Sequence, residues 1–296
     1  MGLDLKKWMA NVDSNRDVFS LNICGTHDCV TQHIRIAHFA RCQDKTIYEQ
    51  LCLGIRALDI RVKSDGKCLT MVHGFLSAYN KSCRKSNIMD MGDVLSQCYR
   101  FLDENPSETI IFQFKNDSGK ENEVCFDNLF YTYIKGKEPY WYTENRIPKM
   151  SEARGKIILI RRCKMEPKAD FSSKNTGIDF SAWVEQTEVT PEALPLLTGN
   201  ADFLILDRFK YKPEPRWNDV IKPFLDMMKP FNGKYIINYL STAGGLKGPK
   251  NNAKYINAIF MEYQLKKGYY YGTIYSDFPS RELVCKITER SEERRV

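Results

Sequence analysis

Short apolar runs rich in β-branched and aromatic residues recur along the chain, and stretches of helical period lie between several of them. The runs that predict strands are "VFSLNIC" (18–24), "IRALDIRV" (55–62), "CLTMV" (68–72), "TIIFQF" (109–114) and "KIILI" (156–160). Further along come "ADFLIL" (201–206), "KYIINYL" (234–240) and "YYGTIYSDF" (270–278), with a less regular ninth, "WVEQTEV" (183–189). Helical patterns fall at "TIYEQLCLG", "MGDVLSQCYRFLDENP" and "RWNDVIKPFLDMMKP". In the second, Val94, Leu95, Cys98, Phe101 and Leu102 share one face, Pro106 closes the helix, and Ser107-Glu108 leads into the next strand.

Strand and helix in alternation predict an α/β fold, a parallel sheet with helices outside it. Eight such strands in 296 residues suit a single distorted (β/α)₈ TIM-type barrel, which typically takes about 250 residues. No internal repeat or long linker divides the chain, so one domain over 1–296 is expected. A hydrophobic share of 43% supplies a sizeable core and excludes a disordered chain. No apolar stretch approaches the roughly 20 residues of a membrane span. The first residues lack the apolar segment of a signal peptide, and Lys6 stands where a myristoylation pattern needs Ser or Thr. The net charge of +7 is spread along the chain without a dense basic tract, which argues against nucleic acid. A mild positive balance still favours an anionic lipid surface. The ten cysteines sit singly with no C-x-x-C, which speaks against a zinc centre and for a reducing or cytoplasmic setting.

In barrels of this kind functional residues collect at the C-terminal ends of the strands. That is where the unusual polar residues fall. His27 and Asp28 follow the first strand, and Asp59 and Arg61 share a face of the second at spacing two. His73, Lys115, Arg162, Asp207 and Asp277 end later runs. A lone strand-end histidine is ordinarily a satisfied polar group, and a lone Asp-x-Arg an ordinary ion pair. Together these residues would face one barrel mouth. Two imidazoles can take and give a proton near neutral pH, and carboxylates beside them fix tautomer and basicity. Arg61 adds a forked cation suited to a phosphate oxygen. A base, an acid and a guanidinium are the parts for moving a phosphoryl group between oxygens, with no metal or other cofactor required.

The motifs "SLNICGTHDCVT", "YEQLCLGIRALDIRV" and "MVHGFL" resemble the X region of phosphatidylinositol-specific phospholipase C in its short bacterial form. The likeness continues in order through "NPSETIIFQFKND", "RGKIILIRR", "FLILDRFKYKP", "YIINYLSTAGG" and "GTIYSDFP", covering nearly the whole chain. It implies a two-step acid–base cleavage of phosphatidylinositol, or a glycosylated form, to diacylglycerol and inositol 1,2-cyclic phosphate. By that resemblance His27 is the base toward the inositol 2-hydroxyl and His73 the acid toward the leaving oxygen. Asp277 matches the support of the base and Asp28 the partner of the acid. Arg61 matches the phosphate-binding arginine, with Asp59 orienting it. Lys115, Arg162 and Asp207 match contacts to the inositol ring or its phosphate. Family likeness further implies export, a monomer, and transient binding to a membrane surface. The arginine of "LDIR" stands where the calcium-dependent eukaryotic enzymes hold metal, so no metal is expected.

The chain departs from the pattern at Phe209, which keeps ring stacking but lacks the expected tyrosine hydroxyl. On the membrane-binding rim, "HFARCQDKTIYEQ" offers Phe39 and Tyr48 in place of tryptophan. "STAGGLKGPKNNAKY" (241–255) reads as a mobile loop with Lys247, Lys250 and Lys254, and "ITERSEERRV" (287–296) as a solvated helix end or a disordered one. Two other readings remain on the sequence alone. A glycerophosphodiester-type phosphodiesterase would need metal-binding carboxylates, and a non-catalytic inositol-lipid-binding barrel would have no use for a paired acid and base.

Overall fold

The structure is a computed structural model that describes residues 4–117, 126–165, 176–186, 190 and 192–292. Among the described residues, twelve strands make one curled sheet. They are β1 (Ile23–Thr26), β2 (Ala57–Ser64), β3 (Leu69–His73), β4 (Leu76–Ser77), β5 (Ile110–Asn116) and β6 (Trp141–Tyr142). The second half holds β7 (Ile157–Arg161), β8 (Ile178–Asp179), β9 (Leu194–Thr198), β10 (Ala201–Leu206), β11 (Lys234–Tyr239) and β12 (Thr273–Ser276). The helices are α1 (Ala37–Ala40), α2 (Ile47–Cys52), α3 (Met91–Glu104), α4 (Phe126–Ile134), α5 (Met150–Ala153), α6 (Pro213–Pro215), α7 (Lys222–Asp226), α8 (Gly248–Glu262) and α9 (Arg281–Glu292). A π-helical stretch, Arg216–Ile221, joins α6 to α7.

The strands β7, β5, β2, β1, β12, β11 and β10 run side by side and parallel, with the short β8 parallel beside β7. These eight form a distorted TIM-type barrel. Its ring carries a seam: β9 lies antiparallel on β10, and no backbone pairing joins β8 to β9 among the described residues. A side-chain bond crosses there, the Thr198 hydroxyl donating to the Asp179 carbonyl at 2.5 Å.

Period-two alternation sorts each barrel strand between two cores. Leu58, Ile60, Val62, Phe112 and Phe114 face outward and pack with the buried faces of α2, α3, α8 and α9. Ala57, Ile111, Ile158, Ile237 and Tyr239 face the interior. The register of β2 on β5 pairs Ala57 with Ile111, then Asp59 with Gln113, then Arg61 with Lys115. The interior therefore climbs from apolar at the N-terminal ends, through a buried polar layer, to cations at the mouth. Gly25 makes room within it. A Cβ there would meet the Tyr275 ring at 2.8 Å, and that ring stacks on Tyr239 with centroids 4.7 Å apart.

Several elements differ from the sequence-based expectation. The run at 68–72 is no barrel strand: β3 folds back antiparallel on β2, and the eighth place is taken by β8. Val18–Ser20 is a 3₁₀ turn, because Val18 and Phe19 plug the bottom of the barrel against Phe203 and Tyr235 instead of pairing. Trp183–Gln186 is not strand, and 187–189 lie outside the described residues. The expected loop at 241–255 turns into α8 at Gly248. The tail is a packed helix through Glu292, pinned where the Ser291 hydroxyl donates to the Asn22 carbonyl at 2.8 Å and accepts from the Asn22 amide at 2.7 Å. Residues 293–296 of that tail lie outside the described set. Cys24, Cys29, Cys42, Cys52, Cys68, Cys83, Cys98 and Cys285 are free thiols, and Cys125 lies outside the described residues.

Candidate active site

An open cavity of about 200 Å³ occupies the mouth of the barrel, lined by His27, His73, Arg61, Lys115, Arg162, Asp207, Phe209 and Asp277, among others. Asp28 and Asp59 are fully buried immediately behind its floor. Every catalytic or substrate-binding candidate read from the sequence thus lies in or against one pocket.

The chain builds the His27 side of the pocket by turning sharply after β1. Asp28 takes a left-handed φ of 43°, a conformation that aspartate tolerates better than most residues. The Gln43 side-chain amide secures the turn by donating to the carbonyls of His27, at 2.8 Å, and Ser276, at 3.0 Å. His27 Nδ1 lies 2.8 Å from Asp277 Oδ1, and its Nε2 lies 3.2 Å from Asp28 Oδ2. Burial alone would push this imidazole down. The charges of Asp28 and Asp277, with the hydrogen bond to Asp277, outweigh that and lift His27 to about 9.

His73 comes from the end of β3, carried back to the mouth by its antiparallel course. Its Nδ1 lies 2.8 Å from the Ala40 carbonyl, and its Nε2 lies 3.4 Å from Asp28 Oδ2. A carbonyl only accepts, so Nδ1 carries a proton and Nε2 is the reactive nitrogen. Asp28 was expected beside the acid histidine alone, yet one of its oxygens faces both imidazoles. The reason is its left-handed turn, which lays the carboxylate between the two rings, whose centroids are 6.4 Å apart.

Arg61 points up from β2 with Nε 3.0 Å from Asp28 Oδ1 and Nη2 3.1 Å from Asp59 Oδ2. Burial would raise the Asp59 carboxyl, but Arg61 and His27 hold it well below the usual carboxylate range. Gln113 donates to Asp59 Oδ1 at 3.3 Å and to the Tyr239 hydroxyl at 2.6 Å, and the Tyr239 ring stands edge-on to His27. On the far wall, the Arg162 guanidinium lies 3.6 Å from the centre of the Trp183 ring.

Sequence reasoning missed Asp117, Gln113, Tyr239, Trp183 and the cavity-lining Glu185. Asp117 was legible: it stands two residues past Lys115, on the same face. It pairs with Lys115 Nζ at 2.9 Å, and its other oxygen accepts the Gly74 amide at 2.8 Å, tying the residue after His73 to the end of β5. Of the two aromatic residues expected at the rim, Phe39 is exposed at the cavity edge, while Tyr48 packs under the Arg100 guanidinium and donates to Glu104. One group of metal-ligating type exists among the described residues, His27, Asp28 and Cys42.

Fold and site together define a class, a barrel with two imidazoles on one buried carboxylate and a fixed guanidinium at the C-terminal ends of its strands. Residues 28–163 match the family described as phosphatidylinositol-specific phospholipase C, X domain. A 1-phosphatidylinositol phosphodiesterase of Listeria monocytogenes is 30% identical over 190 residues, 60% of this chain and 55% of that protein. The chain therefore spans little more than half of that relative's length. A protein of the same name from Staphylococcus aureus is 24% identical over 85% of this chain and 81% of its own length. Among solved structures, a point mutant of the phosphatidylinositol-specific phospholipase C from S. aureus superposes with a TM-score of 0.80 at 21% identity, covering 98% of each chain. The phosphatidylinositol-specific phospholipase C from L. monocytogenes gives 0.74 at 22% identity, covering 97% of this chain and 98% of its own.

Proposed function

We propose that the protein is a phosphatidylinositol diacylglycerol-lyase, cleaving phosphatidylinositol or a glycosylated form of it. The observation that carries this reading is the approach of two imidazole Nε2 atoms, at 3.2 and 3.4 Å, to one buried carboxylate oxygen, with a guanidinium on the other oxygen. A phosphodiester seated across the two rings meets a base on one side and an acid on the other.

In the first step His27 Nε2 takes the proton of the inositol 2-hydroxyl as that oxygen attacks phosphorus. The bond from phosphorus to the diacylglycerol oxygen breaks, and His73 Nε2 supplies the proton that oxygen needs. Inositol 1,2-cyclic phosphate and diacylglycerol leave, with one proton gained by His27 and one lost by His73. In the second step the roles reverse: His73 takes a proton from water, water opens the cyclic phosphate, and His27 returns its proton to the 2-oxygen. Asp277 holds the Nδ1 proton of His27, fixing the tautomer that leaves Nε2 free as the base. Arg61, already oriented by Asp28 and Asp59, offers its remaining N–H groups to the phosphate oxygens, where charge develops. Lys115, Arg162 and Asp207 line the wall that would receive the ring hydroxyls, with Phe209 beneath the ring.

The same mouth suits a membrane surface. Ile36, Phe39, Phe75 and Leu246 are large exposed apolar residues beside cavity-lining positions, and Lys247, Lys250 and Lys254 lie along the chain just beyond Leu246. Apolar tips flanked by lysine fit an anionic lipid interface. We assign the working form to a monomer transiently bound there. Phosphorus NMR of products from phosphatidylinositol vesicles, with and without chelator, tests the reading. A cyclic phosphate resonance that persists in chelator is expected; intact lipid, or glycerol phosphate as product, would sink it.

A further inference from the structure

We propose that His27, Asp28 and Cys42 form an inhibitory site for a thiophilic divalent cation of the zinc class. One ligand atom from each lies within 4.8 Å of the other two. Zinc holds nitrogen and oxygen donors at about 2.0–2.2 Å and thiolate sulfur at about 2.3 Å, so its donors stand roughly 3.5 Å apart. Closing the existing triangle onto an ion needs the donors to approach one another by on the order of 1 Å.

Three features of the surroundings suit a metal. The first is Asp277, which occupies His27 Nδ1 at 2.8 Å and leaves Nε2 as the outward donor. A ligating histidine whose second nitrogen is held by a carboxylate is the usual arrangement around protein-bound zinc. The second is Asp28: this carboxylate is fully buried, and neither of its oxygens accepts a hydrogen bond, although imidazole and guanidinium nitrogens surround it. The third is His73, whose Nε2 stands 3.4 Å from the same Asp28 oxygen, within reach as a fourth donor. The thiol sets the selectivity. Sulfur favours zinc and its soft neighbours over magnesium or calcium, which seek oxygen alone. Sequence spacing hid this group, because Cys42 lies fifteen positions beyond His27 and reaches it only through the fold.

An ion bound there takes the lone pair of His27 Nε2 that the proposed lyase reaction uses as its base. The effect on turnover thus rests on the function proposed above, whereas binding itself does not. Two measurements on the full chain separate them. Titration of the wild-type protein with cobalt(II) is expected to give one equivalent of a sulfur-to-metal charge-transfer band in the near ultraviolet, missing in both Cys42→Ala and Cys42→Ser. In turnover assays zinc is expected to inhibit the wild-type protein, and each substitution should raise the half-inhibiting concentration at least about tenfold while basal turnover is kept. A wild-type protein without the band, a band unchanged in both variants, or equal zinc sensitivity in all three overturns the proposal. A chain that turns over no lipid yet shows the Cys42-dependent band would leave the site standing and remove the lyase reading.

Discussion

Two carboxylates decide the proton balance at His27. Asp277 and Asp28 lift it to about 9 against the effect of burial, so at neutral pH the His27 imidazole is mostly protonated. Since a base must be neutral to act, kcat/KM should rise with pH through the region of about 9. Asp277→Asn removes one of the charges that lift the group. Its acidic limb should therefore move to lower pH, and a pH–rate profile identical to wild type would contradict the assignment. His27→Ala and His73→Ala should each lower turnover by about 10²-fold or more, the usual share of acid–base groups. Arg61 carries a structural duty as well, since it is the cation between the buried carboxylates Asp28 and Asp59. Arg61→Ala strands both charges and should cost about 3 kcal/mol in urea unfolding, the scale for breaking a buried ion pair. Arg61→Lys keeps the charge but loses the fork, so its stability should recover further than its turnover.

Among the elements, Asp117 clamps the turn after β3 to the end of β5. Asp117→Asn keeps an acceptor for the Gly74 amide and loses the ion pair with Lys115, whereas Asp117→Ala loses both. Turnover should fall about tenfold in Asn and further in Ala, as a slight misplacement of His73 would cause, with far-ultraviolet circular dichroism unchanged. Equal, wild-type rates in the two would show that the clamp is idle. Most of the barrel was legible because its strands alternate so regularly: "IRALDIRV" alone announces which of its residues face inward. The fold-back of β3 was not, since an antiparallel return and a parallel neighbour present the same short apolar run. Nor was β8, whose two residues are too few to show any period. The site was legible where charge interrupts a strand end. It was illegible at Tyr239 and Trp183, because an aromatic residue in an apolar run looks like core. Helix α8 escaped notice for a related reason: its first turn is rich in Gly, Pro, Lys and Asn, the composition of a loop.

For the whole molecule, the proposed membrane contact at the apolar tips is separable from the proposed chemistry. Replacing Phe39, Phe75 and Leu246 together by Ala should weaken partition onto anionic vesicles by at least about tenfold, as expected when three insertable side chains of this size are truncated. Hydrolysis of soluble cyclic inositol phosphate should be nearly unaffected. Sedimentation of protein with sucrose-loaded vesicles measures the first, and equal partition of variant and wild type would place the membrane contact elsewhere.

The seam beside β9 has a mechanical consequence. A ring held by backbone pairing along most of its course, and at its seam, among the described residues, by side-chain hydrogen bonds of Thr198 and Gln186, has a defined place to unzip. Amide hydrogen exchange should be fastest along β8 and β9 and slowest along β1, β2 and β5. The wall bearing Arg162, Glu185 and Asp207 borders that weak line, while His27 and Arg61 sit on the rigid arc across from it. Breathing of the barrel would then widen the pocket on that side without disturbing His27 and Arg61.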